Sequence, residues 1–185
     1  MKQNIFIAIR LTLVCVVVFM VIYALLILGI AQAAPNKGKG EALIVNNRVA
    51  GYKSEGQKFT NDKYFNSRPS AVDYNAAGSA GSNKGPANPD YLKQVQDRID
   101  TFLVHNPSIK KEQIPSELVT ASGSGLDPDL SPLAAYVQVK RIAAVRHLPE
   151  IMIHELVKNH IDKGIFGPDK VNVLQLNIDL DKVKQ

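Results

Sequence analysis

Between Leu11 and Asn36 the chain carries no charged residue, and Leu11–Ile30 is built almost wholly from Leu, Val, Ile, Phe, Met and Ala. No other feature limits the possible folds as strongly. The 21 residues Leu11–Ala31 reach roughly 30 Å as a helix, the hydrocarbon thickness of a bilayer. A helix closes its backbone hydrogen bonds internally, so lipid tolerates it. Lys2 and Arg10 precede the run, and Pro35-Asn36 and Lys37-Gly38-Lys39-Gly40 follow it. Ala31-Gln32-Ala33 resembles a signal-cleavage site, but a signal's apolar core is usually about 7–15 residues. Cys15 lies mid-run behind Leu13-Val14, which does not fit a lipoprotein signal. The expected organisation is therefore a tail over 1–10, an uncleaved transmembrane helix over 11–31, a linker over 32–40 and a body over 41–185. Lys37, Lys39, Arg48 and Lys53 follow the helix, so charge counting alone favours neither side strongly. A short tail with two cations fits the cytoplasm, and large domains cross largely regardless of charge. The expected topology places the N-terminus inside and the body outside.

The body has the composition of a folded domain. The 185 residues are 45% hydrophobic and 21% charged, which excludes wholesale disorder. Of the net charge of +5, Lys2 and Arg10 supply +2, and the other 20 Lys+Arg against 17 Asp+Glu leave +3. That excess is weak for nucleic-acid binding, and no basic run or aromatic-basic interleaving supports it. Cys15 is the only cysteine, so intramolecular disulfides and cysteine zinc sites are excluded.

Elements follow from local signals. Ala42–Val45 and Arg48–Tyr52 read as strands joined at Asn46-Asn47, since paired Asn tolerates the positive φ of hairpin turns. Asn66–Asp90 is rich in Gly, Ser, Asn, Pro and Ala. Its length without periodicity marks a functional or a disordered segment. Tyr64, Phe65, Arg68, Asp73 and Tyr74 can anchor it, which favours an ordered loop. A first helix starts at Pro89-Asp90 and ends before Asn106-Pro107, with Tyr91, Leu92, Val95, Ile99, Phe102 and Leu103 at helical spacing. A second starts at Ser131-Pro132 as cap and first-turn proline. It runs to about Arg146, offering Leu133, Tyr136, Val137 and Ile142–Val145 to a core. A third runs from Pro149-Glu150 to Gly164, where glycine suits a left-handed cap. Leu174, Leu176, Ile178 and Leu180 alternate with polar positions, the period of a half-buried strand. The expected fold class is α+β: one N-terminal transmembrane helix followed by a single mixed α/β extracytoplasmic domain.

No catalytic pattern is complete. Gly78–Gly85 lacks the Lys-[Ser/Thr] ending of a phosphate loop, because Gly85 follows Lys84. Ser122-Gly123-Ser124-Gly125 lacks the first glycine of a nucleophile elbow. Asp127–Ser131 has Pro132 where a calcium loop needs glycine, and its acids suit the turn entering a helix. After His154-Glu155, position 158 is Lys158, so a zinc-protease helix is not formed. Two Ser/Gly-rich loops on an anchored domain favour binding over catalysis.

Those loops carry a specific resemblance. Phe65-Asn66-Ser67-Arg68-Pro69-Ser70-Ala71, Tyr74-Asn75, Gly81-Ser82-Asn83-Lys84-Gly85-Pro86 and Thr120-Ala121-Ser122-Gly123-Ser124-Gly125-Leu126-Asp127-Pro128 resemble the C subunit of Kdp-type potassium-transporting ATPases. Ser131-Pro132-Leu133-Ala134-Ala135 with Gln138, Arg141 and Arg146, and Val171–Asn177, fit the same family along the whole chain. Lys84 and Asp129 depart from it, standing where an apolar residue and a His are common. The resemblance implies a non-catalytic subunit of a bacterial inner-membrane complex that imports potassium with ATP. Its implied partners are a channel-like potassium-binding subunit, a P-type ATPase subunit and a small peptide subunit, with membrane lipid around the helix. ATP, magnesium and potassium would belong to the complex, and no cofactor is assigned to this chain.

Two roles are attached to such subunits: an assembly factor covering the outer mouth of the channel-like subunit, or a catalytic chaperone raising ATP affinity. An outside body cannot meet cytoplasmic ATP, which favours the first. A free-standing anchored hydrolase or solute-binding domain is the remaining alternative. The candidate interface or loop-structuring residues are Phe65, Ser67, Arg68, Pro69, Ser70, Tyr74, Asn75, Ser82, Asn83, Pro86, Ser122, Gly123, Ser124, Asp127, Ser131, Gln138 and Arg141. Ala24, Gly29 and Ala31 are the small residues on which the helix would pack.

Overall fold

The computed structural model describes residues 2–183. It divides into two units, one reaching to Glu41 and the other starting at Ala42.

In the first unit, helix α1 (Lys2–Val16) passes through a π-helical stretch, Val17–Ile22, into α2 (Tyr23–Ala33). The continuous helix thus outruns the uncharged segment at its N-terminal end and takes in Arg10. Its 30 residues Asn4–Ala33 are long and apolar enough to cross a membrane. Ile, Leu, Val and Phe side chains along it stand exposed, as an apolar solvent requires and water does not favour. Ala34 turns extended and Pro35 opens a short 3₁₀ turn, which stops the helix.

The second unit opens on the expected hairpin. Strands β1 (Ala42–Val45) and β2 (Arg48–Tyr52) pair antiparallel, with an irregularity between Leu43 and Ile44. Asn46 and Asn47 take φ of 50° and 60°, the left-handed pair that a tight hairpin needs. Helix α3 (Pro89–His105) has the expected bounds. Asn88 caps it by accepting from the Tyr91 N–H at 3.0 Å. No residue of α3 is fully buried, and Leu92 is exposed, so the helix lies on the surface with Val95, Ile99, Phe102 and Leu103 turned partly inward.

Three expectations are corrected. The helix from Ser131 is two helices, α4 (Pro132–Tyr136) and α5 (Val139–Arg146). The break at Val137-Gln138 shifts the helical phase. Ala134, Ala135, Val139, Ile142 and Ala143 are buried, while Leu133 and Val145 are exposed. Helix α6 (Glu150–Asn159) ends at His160, before Gly164. The chain then forms β4 (Ile161–Asp162) and returns as β5 (Lys170–Asn172). The expected C-terminal strand is helix α7 (Val173–Leu180). Asn172 caps α7 by accepting from the Gln175 N–H at 3.1 Å. Val173, Leu176, Asn177 and Leu180 are buried together, the three- and four-residue spacing of a helix face.

With β3 (Asp129–Leu130), β5 and β4 form a three-stranded antiparallel sheet in the order β3-β5-β4. Helices α4 to α7 pack with this sheet around one core, in which Phe65, Leu130, Ile142, Ile153, Val171, Leu176 and Leu180 are buried.

Candidate subunit interface

The segment 53–75 contributes Phe65 to the core but has no helix or strand of its own. Its buried peptide groups need partners from elsewhere, and polar side chains of the α4–α5 break, α5 and α7 supply them. Asn177 brackets Phe65. Its Oδ1 accepts from the Phe65 N–H at 2.8 Å, and its Nδ2 donates to the Phe65 carbonyl at 3.0 Å. Gln138 Oε1 accepts from the Asn66 N–H at 2.8 Å, while its Nε2 donates to the Ala134 carbonyl at 3.0 Å. That side-chain bond back into α4 sits at the α4–α5 break.

Arg141, 6% exposed, closes the network. Its Nε donates to Asn106 Oδ1 at 3.0 Å. Its other nitrogens donate to the Asp62 and Tyr64 carbonyls, to Asn66 Oδ1 at 2.9 Å and to Gln138 Oε1 at 2.8 Å. Burial pulls its affinity for protons below the usual arginine range, and the Asp62 carboxylate opposes this. Gln138 and Arg141 are buried and clamp the segment from inside.

The second cluster joins the two Ser/Gly-rich loops. Arg68 Nη1 donates to Asp127 Oδ2 at 2.8 Å, with both side chains about three-quarters covered. The Arg68 Nε is buried without a hydrogen-bond partner. Tyr74 donates its hydroxyl to the Arg68 carbonyl at 2.5 Å. Burial, with the neighbouring Asp73 charge, pushes its phenol up to about 12. Ser70 Oγ accepts from the Val72 and Tyr74 N–H groups at 3.1 and 2.9 Å, closing the turn. The Pro69 carbonyl accepts from the Ser122 N–H at 3.0 Å, and Ser79 Oγ donates to the Ser124 carbonyl at 2.8 Å. Ser122 Oγ accepts from the Gly125 N–H at 2.9 Å. Gly125 itself has φ +70°, and a Cβ there would lie 2.6 Å from Val72 Cγ2, so any side chain at the junction is strained. Asp127 Oδ1 also accepts from the Asp129 N–H at 3.1 Å, shaping the turn into β3.

The remaining candidates are placed as follows. Ser67 is buried and donates to the Gln57 carbonyl at 2.8 Å. Asn75 caps a 3₁₀ turn by accepting from the Ala77 N–H at 3.0 Å. Ser131 caps α4 through the Ala134 N–H at 3.2 Å and donates to Glu117 Oε1 at 2.5 Å. Ser70 and half-buried Ser82 share the wall of a cavity of about 460 Å³ with Gly81, Lys84, Tyr91 and Arg98. Gly123, Asn83 and Pro86 are exposed. Ala24 and Ala31 lie on one face of α2, whereas Gly29 is turned roughly 140° from Ala24.

Sequence reasoning missed Asn66, Asn106, Glu117 and Asn177. The available signal was an amide at a core-facing helix position, as Asn177 is between Leu176 and Leu180.

Chemically, the arrangement holds loops in shape. Among the described residues, no three His, Cys, Asp or Glu side chains converge closely enough to hold a metal. Ser122 and Ser124 spend their polar groups on neighbouring backbone. His154 stacks on Tyr136 at 4.4 Å. The class defined is an α+β domain that follows one long apolar helix and presents two cross-braced loops.

Comparison with known proteins is decisive. The family model described as "K+-transporting ATPase, c chain" matches residues 5–182. A potassium-transporting ATPase KdpC subunit of Flavobacterium psychrophilum is 58% identical over 183 residues, covering 98% of this chain and 100% of that one. That of Flavobacterium johnsoniae is 56% identical over 182 residues, with 98% and 100% covered. That of Bacteroides thetaiotaomicron is 48% identical over 188 residues, again with 98% and 100% covered. The chain belongs to the KdpC family, an accessory, non-catalytic subunit of the Kdp potassium-transporting ATPase.

Proposed function

We propose that this subunit is held in the bacterial inner membrane by its apolar helix, N-terminus in the cytoplasm. The body then stands on the outer side against the channel-like subunit, with the P-type ATPase and small peptide subunits completing the complex. The carrying observation is that the family match runs unbroken through the apolar helix and the body. Helix and domain are therefore parts of one kind of subunit. The cross-braced loops, Arg68–Asp127 at their centre, offer a preshaped surface of backbone carbonyls, hydroxyls and amides. Such a surface docks without desolvating charge. Ala24 and Ala31 give α2 a face on which another helix approaches closely.

The test is growth at limiting potassium in cells whose only copy of this subunit carries Arg68→Ala. Weakened complex assembly, or a higher potassium requirement, is expected. Unchanged assembly together with unchanged growth rejects the docking role of the braced loops. Topology is read separately. Asn83→Cys in a Cys15→Ser chain should react with a membrane-impermeant thiol reagent in intact cells, and protection overturns the assignment.

A further inference from the structure

The cavity of about 460 Å³ beside the braced loops is walled on one side by α3. Tyr91, Gln94 and Arg98 line it from there, at the three- and four-residue spacing of one helix face. Ser70, Ser82 and Lys84 line it from the loop segment. That wall is fixed in place. A Cβ on Gly81 would lie 2.9 Å from the Gly123 carbonyl oxygen, and Ser70 Oγ is held by the Val72 and Tyr74 N–H groups. Because Ser70 Oγ accepts both of these, its two lone pairs are used and only its hydrogen is left to give. Lys84 and Arg98 carry donors only. Arg98 Nη1 donates to the Val119 carbonyl at 3.1 Å, which leaves the rest of its fork uncommitted. Among the described residues, neither cation has an ion-pair partner, and the side chains of Ser82, Tyr91 and Gln94 have no hydrogen-bond partner. Two acids of the adjoining loops are already paired, Asp73 with Lys58 and Asp127 with Arg68. No carboxylate lines the cavity.

We propose that this cavity binds a phosphate group, held by Lys84 and Arg98 with Ser70, Ser82, Tyr91 and Gln94 as further donors. The walls supply donors and lack an acceptor to match them, so the missing partner is an anion. Two cations and four neutral donors exceed what the two oxygens of one carboxylate take up. A tetrahedral phosphate presents more oxygens, and both cationic side chains are good partners for it. The donors are side chains rather than a glycine cradle, so the incomplete phosphate-loop pattern of Gly78–Gly85 does not bear on the site. The same chemistry is carried by free inorganic phosphate and by the headgroup of an anionic lipid. The site stands whichever subunit the braced loops meet.

The experiment uses the full chain in a non-ionic, phosphate-free detergent. It is titrated calorimetrically with inorganic phosphate and, separately, with dihexanoyl phosphatidylglycerol, each against sodium chloride of equal ionic strength. Saturable binding at roughly millimolar concentration or below is expected for at least one of them. Saturation by phosphate that the lipid does not displace identifies the free anion as the ligand. Saturation by the lipid, alone or in competition with phosphate, identifies the headgroup. Lys84→Gln should weaken the binding at least roughly tenfold, the scale of one charge-assisted hydrogen bond. Its melting temperature should stay that of the unsubstituted chain, since Lys84 holds nothing else in the fold. Arg98→Lys, which keeps the charge and loses the fork, should weaken binding as well. Failure of both probes to saturate overturns the proposal, as does saturation that Lys84→Gln leaves unchanged. Either result leaves the membership of the chain in its family, and the docking role of the loops, standing.

Discussion

Arg141 acts as a hydrogen-bonding pin for a stretch of chain that lacks secondary structure. Its guanidinium gathers the carbonyls of Asp62 and Tyr64 with the amide oxygens of Asn66, Asn106 and Gln138. Arg141→Leu strands all of them in a buried site. A cost of about 3–5 kcal/mol is expected, read as a lower urea midpoint; a loss under about 1 kcal/mol would show that the network is slack. Tyr74 gives a pH signature. Its phenol ionises at about 12 in the fold and near 10 in the unfolded chain. The folded state therefore holds the proton more tightly, and this contribution is intact below about pH 10 and lost as pH rises towards 12. Tyr74→Phe should be less steeply destabilised across that window than the parent. Identical pH slopes would contradict the burial of that hydroxyl. Neither residue's role could be read from the sequence. Arg141 and Tyr64 are 77 positions apart, and only packing brings such groups together.

Elements differed in how plainly the sequence announced them, for identifiable reasons. The β1–β2 hairpin and α3 were legible because their signals are local: Asn46-Asn47 accepts positive φ, and Asn88-Pro89 starts a helix unaided. The α4–α5 break was not, because Gln138 bonds both to its own preceding turn and to Asn66. Helix α7 was misread because Val173–Leu180 satisfies a period of two and a period of 3.6 alike. The Asn172 cap decides between them. Asn172→Ala should cost about 1–2 kcal/mol, since the same side chain also donates to the Lys53 carbonyl at 2.8 Å. No change in thermal stability would deny the cap its role. At the loop junction, Gly125→Ala should cost about 1–3 kcal/mol, because its φ of +70° and the crowding by Val72 and the Ala80 carbonyl are both on the same atom. A neutral substitution would mean that the two loops are not braced as described. The loop candidates themselves were legible as a group through their resemblance to a family. Their internal bonding was not, and it makes Ser67, Gln138 and Arg141 loop-structuring members of the group.

On the scale of the whole chain, the two units answer to different solvents. The helix exposes its apolar side chains throughout, while the unit from Ala42 buries a core of its own. A fragment starting at Ala42 should therefore remain soluble without detergent and melt cooperatively; a fragment that aggregates or melts without a transition would contradict an independent core. The full chain should need detergent or lipid. The family to which the chain belongs is that of a non-catalytic subunit, and the loop polar groups named above hold the loops in shape. The most direct measurement is the native mass spectrum of the tagged chain drawn from membranes in mild detergent. The account expects all 185 residues, with the apolar helix retained, in one particle with the other subunits of a potassium-transporting ATPase. A chain shortened near Ala33 and travelling alone would contradict it.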